Sequence, residues 1–116
     1  GLGLLNRVRY SGMSVCLLID SPRDPEGRSV PVATEEVFTS IWQPACRELG
    51  LKWVPLFQTG LAIERRDLPE ILSELGLLSA RLAGRPEAGH VRSRMDLLAE
   101  ELRQSQSDPE ARLWIG

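Results

Sequence analysis

The 116-residue sequence contains one histidine, His90, and one lysine, Lys52. A triad hydrolase needs a base beside its nucleophile, and histidine is the usual one. His90 stands at a loop-to-helix junction, AGHVRS, where a surface or capping role suits it better than catalysis. Neither a Gly-x-Ser-x-Gly elbow nor a reactive-cysteine signature occurs. The two cysteines, Cys16 and Cys46, lie far apart within apolar patterns and read as buried free thiols. With one histidine they cannot supply the four ligands of a structural zinc site. Phosphate loops are missing too, since no GxGxxG follows a strand and no Walker Gly-Lys-Ser/Thr is present. No catalytic residue, cofactor or metal is expected.

Long apolar runs are also lacking. None approaches the ~20 residues needed to span a bilayer, and no apolar signal-peptide core precedes a small-residue cleavage site. The formal net charge of −2 lacks the basic balance of a general nucleic-acid binder. These absences describe a soluble, cytoplasmic protein without a membrane partner. The length suits one domain around one core. Met13 is the first methionine, so residues 1–12 read as a leader or added segment and residues 13–116 as a single α+β domain. In the competing reading, RVRY and MSVCLLI close a hairpin across Ser11-Gly12.

What is present centres on TEEVFTSIWQPACRELGLKWVPLF, Thr34 to Phe57. Val37, Phe38, Ile41, Trp42, Ala45, Cys46 and Leu49 mark one broad face of a helix. Thr34 is its N-cap, Glu35 and Glu36 favour its positive end, and Gly50 stops it. Pro44 inside it predicts a kink or two short helices. Leu51 to Phe57 alternates as a strand, at an edge or broken at Pro55. Upstream, Ser14 to Asp20 is a short apolar run that predicts a central strand. Ser21 to Pro31, with three prolines, a glycine and four charges, predicts a long exposed loop.

Downstream, Leu61 to Glu64 predicts a short return strand. Asp67 and Glu70 approximate a capping box before the stripe Leu68, Ile71, Leu72, Leu75, Leu78 and Leu82, with Ser73 and Glu74 on the opposite side. A further helix runs from about His90 to Gln106 with Val91, Met95, Leu98, Ala99 and Leu102 on one face. The tail Ala111 to Ile115 either docks or pairs. The fold class is α+β: three to four short strands with about three helices packed on the sheet, the last two as an antiparallel hairpin.

For function, the sequence favours a small bacterial-type interaction module, immunity- or inhibitor-like or homo-oligomeric, without enzymatic activity. That class is reached by association and by the lack of catalytic motifs. Its partner is another protein or a second copy. The candidate contacts are Asp20, Arg23, Asp24, Glu26 and Arg28 in the charged loop, with Trp114 near the end of the chain as a hot-spot residue. Two other classes compete. A small-ligand or divalent-metal enzyme would place Asp20, Asp24 and Glu26 around a pocket after the first strand, with His90 or Arg28 nearby. A nucleic-acid-binding regulator would use Arg81, Arg85, Arg92 and Arg94, although Asp96, Glu100 and Glu101 share that helix.

Overall fold

The computed structural model describes residues 14–116. The segment 1–13, with its leader and hairpin readings, lies outside the described residues. Strand β1, Ser14–Ser21, turns through Pro22 and Arg23 into β2, Asp24–Thr34. Helix α1 covers residues 35–49, followed by a 3-10 turn at Val54–Gln58 and a short strand β3, Leu61–Ile63. Helices α2, Leu68–Leu82, and α3, Gly89–Gln106, form a helical hairpin, and β4, Arg112–Ile115, completes the sheet. The sheet is antiparallel throughout in the order β2-β1-β4-β3.

Alternation in β1 sends Val15, Leu17 and Ile19 into the core and leaves Cys16, Leu18 and Asp20 on the other face. The register lines up Val30, Leu17, Ile115 and Leu61 across all four strands, then Arg28, Ile19, Leu113 and Ile63. The helices close over this face with Phe38, Trp42, Ile71, Leu75, Leu78, Met95, Leu98 and Leu102, all buried. The tail thus pairs, and it does so in the middle of the sheet.

Three expectations are corrected. The charged loop after β1 is largely strand β2. An edge strand needs hydrogen bonds on one side alone, so it tolerates Pro25 and Pro31, and the register shift between Val15 and Cys16 lies beside Pro31. Residues 51–57 form no strand. The amides of Lys52, Trp53 and Val54 all donate to the Glu74 carboxylate, at 2.9, 2.9 and 3.0 Å, so they have no ladder to join. Glu74 is accordingly an anchor for this crossing. No capping box forms at Asp67, whose side chain makes no cap bond, while Glu70 accepts instead from the Trp53 indole at 2.6 Å.

The Pro44 kink takes the form of a π-helical turn. Phe38–Trp42 widens to i→i+5 bonding, with the Gln43 N–H on the Phe38 carbonyl, and the α-helix resumes over Gln43–Leu49 with Pro44 in its first turn. The wider turn accommodates the absent proline N–H and relieves its ring from the preceding carbonyls. At the ends, Thr34 Oγ1 accepts the Val37 N–H at 3.1 Å, and Gly50 adopts the left-handed conformation at φ 67°.

Candidate functional site

The β1–β2 turn meets the segment that leads from α3 into β4, and five of the six candidate contacts lie on this hairpin end. Ser21 is buried at the close of β1, and its hydroxyl donates to Asp108 Oδ2 at 2.6 Å. The Arg23 N–H in turn donates to Ser21 Oγ at 3.2 Å, which fixes the turn. Asp108 also accepts the Glu110 N–H at 3.2 Å. The Ser21 hydrogen bond, aided by the Glu110 amide and the charges of Arg23 and Arg65, holds the Asp108 carboxyl below its usual range despite some desolvation. Such a carboxylate is a weaker base than usual, and its hydrogen bond anchors the Ser21 hydroxyl at the turn.

Arg28 belongs to the inward row beside Ile19. Its guanidinium reaches α3 and binds both oxygens of Glu101 at 2.7 and 3.3 Å, with Asp24 3.8 Å away. Glu101 is 9% exposed, and this fork supplies the partner that a carboxylate so placed requires. Arg28 therefore pins the edge strand to the helix layer.

Two clefts flank the Ser21–Asp108 link. One, of about 630 Å³, is walled by Asp20, Pro22, Pro25, Pro109, Glu110 and Arg112. The other, of about 410 Å³, includes Arg23, Asp24, Arg28 and Gln104. Ser21 and Ala111 belong to both. Asp20 and Arg112 face each other across the β1–β4 register. The structure thus brings Asp20, Arg23, Asp24 and Arg28 to one end of the molecule, with Glu26 exposed on β2 and lining neither of these two clefts.

Trp114 stands apart on the outer face of β4, 37% exposed, in register with Leu18 and Ala62. Its ring covers Gly60, where an added Cβ would fall 2.9 Å from the indole. No group of three or more His, Cys, Asp or Glu is gathered to hold a metal ion among the described residues. Asp20 and Asp24 line different clefts, and His90 belongs to a third cavity beside Arg94. Of the four arginines considered for nucleic acid, Arg81 is bound to the Glu48 carboxylate and Arg92 donates to the Ser79 carbonyl at 3.1 Å.

No protein-family model, curated protein or solved structure matches this chain.

Ser21, Asp108 and Glu101 complete the site and were not singled out by sequence. Ser21 and Asp108 are 87 positions apart, and no local pattern links them. Glu101 did carry a signal. It lies between Leu98 and Leu102 within the buried stripe of α3, and an acid there requires a cation. Among the described residues, no helix is long and apolar enough to cross a membrane.

Proposed function

We propose that this chain is a non-enzymatic interaction module, of the small immunity or inhibitor type or a homo-oligomer, which receives another protein or a second copy at the β1–β2 turn. The observation that carries the reading is the pair of clefts on either side of the Ser21–Asp108 link. Pro22, Pro25 and Pro109 restrict the walls of the 630 Å³ cleft, so little conformational freedom is lost when a partner settles there. Asp20, Glu110, Arg23 and Arg112 present both charge signs, which suits partner selection and orientation more than raw affinity. A lowered carboxyl on Asp108 fits an anchoring role.

The test is native mass spectrometry of the affinity-purified chain beside an Asp20→Arg/Arg112→Glu double variant. The exchange keeps opposite charges across the β1–β4 register and inverts the pattern that these two residues give the 630 Å³ cleft. A stoichiometric second polypeptide, or a homodimer, that the exchange removes supports the proposal. A lone monomer carrying an ion or metabolite overturns it, as does a complex indifferent to the exchange.

A further inference from the structure

The helices pack on one side of the sheet, where Val15, Leu17 and Ile19 point, so the alternate residues form an outer face. The register sets these residues in rows. Ser29, Leu18, Trp114 and Ala62 lie abreast across β2, β1, β4 and β3. Beside that row Pro31 pairs with Cys16, and Cys16 and Gly116 exchange backbone hydrogen bonds at 3.0 Å. On its other side Asp20 faces Arg112. Asp20, Ser29, Pro31, Ala62 and Arg112 are exposed and Leu18 is half-buried, so nothing among the described residues covers this face.

An antiparallel sheet that keeps one face in water ordinarily sets polar side chains there. Here the two central rows contain no charge, and their largest members are Leu18 and Trp114. The Trp114 ring lies over Gly60 and Gly116, where a Cβ would collide with it, and this keeps the face flat enough to receive another sheet. Asp20 and Arg112 are cross-strand neighbours of opposite charge, yet neither takes part in an ion pair among the described residues. An apolar patch with uncommitted charges at its margin has the composition of a covered face.

We propose that a second copy of this chain covers the outer face, sheet against sheet, about a two-fold axis that runs along the seam between β1 and β4. Such an axis exchanges the two strands row by row. Leu18 then comes over Trp114 of the partner subunit, and Asp20 over Arg112 of the partner subunit. The small Ser29 meets the partner's Ala62, and each contact is made twice. Within these rows no like charges meet. The face is thus complementary to itself in size and in charge, as an isologous interface requires. At the usual strand spacing and rise the sheet projects roughly 400 Å² per copy. That is the low end for a specific interface, so the dimer is weak and depends on concentration. The inference goes beyond docking at the turn.

The experiment is sedimentation equilibrium of the full-length chain up to about 100 micromolar, the range that suits an interface of this size. A monomer–dimer equilibrium is expected. Asp20→Arg, at an exposed position, sets arginine over arginine twice and should weaken the dimer by about tenfold or more. The Asp20→Arg/Arg112→Glu exchange restores opposite charges across the axis. It should return the dimer to near the parent's affinity while it strips a partner from the turn. Leu18→Lys should abolish the dimer, with circular dichroism reporting that the fold is kept. A monomer throughout overturns the inference, whether residues 1–13 or a different protein then covers the face. A dimer lost in the exchange assigns the second copy to the turn and overturns it too. So does a dimer indifferent to either Asp20→Arg or Leu18→Lys.

Discussion

Glu74 shows how much one side chain can organise. Its carboxylate gathers three successive amides and thereby fixes the crossing from α1 toward β3. Glu74→Ala would leave these donors to whatever water can reach them, and a loss of about 2 to 3 kcal/mol is expected in urea unfolding. Glu74→Gln retains one acceptor oxygen and should lose less. Equal stability of both variants and the parent would show that water replaces the carboxylate fully. Cys46 permits a second residue-level test. Burial, with a smaller contribution from Glu74 and against that of Arg47, pushes its thiol up to about 12. The unfolded chain then releases this proton first, so the stability contributed is intact below about pH 9 and declines from there toward 12. Cys46→Val should lack that component of the alkaline decline in equilibrium unfolding. Cys46 was legible as a buried helix-face residue because its neighbours repeat at helical spacing. Glu74 was not, since an acid opposite an apolar stripe looks solvated until its distant amides are known.

Between elements, the Arg28–Glu101 fork joins β2 to α3. Arg28→Ala leaves Glu101 buried without its cation, whereas Glu101→Gln removes the charge and retains a polar partner. Arg28 is about half exposed, so solvent screening limits the loss in Arg28→Ala to about 1 to 2 kcal/mol. A double-mutant cycle by chemical denaturation should give a coupling above about 0.5 kcal/mol, and additive losses would deny the link. At the other edge, Gly60→Ala combines a φ of +104° with a Cβ 2.9 Å from the Trp114 ring. It should destabilise by more than about 1 kcal/mol and shift tryptophan emission to the red as the indole is displaced. The helices were readable from their stripes, because apolar periodicity is local. Strand β2 was not, because whether Pro25 and Pro31 break a strand depends on which of its sides is paired. That is decided by the position in the sheet, which no stretch of eleven residues contains.

For the whole molecule, the order β2-β1-β4-β3 makes the sheet depend on its four-residue strand β4. Leu113 and Ile115 sit between Ile19 and Leu17 on one side and Ile63 and Leu61 on the other, so among the described residues β4 is the sole sheet neighbour of β3 and the second neighbour of β1. Removal of residues 112–116 should abolish the cooperative thermal transition, read by far-ultraviolet circular dichroism. A sharp transition near the parent's midpoint would mean that the hairpin and helices are stable alone. The α+β class followed from counting elements, whereas the central place of β4 could not be read from ARLWI, whose partners on β1 are recruited from nearly 100 positions away. On a ribosome, β4 is made after every other element described here. Until it clears the exit tunnel, β1 and β3 each present an open hydrogen-bonding edge, and the nascent domain is then at its most exposed to chaperones and to strand exchange with a neighbouring chain.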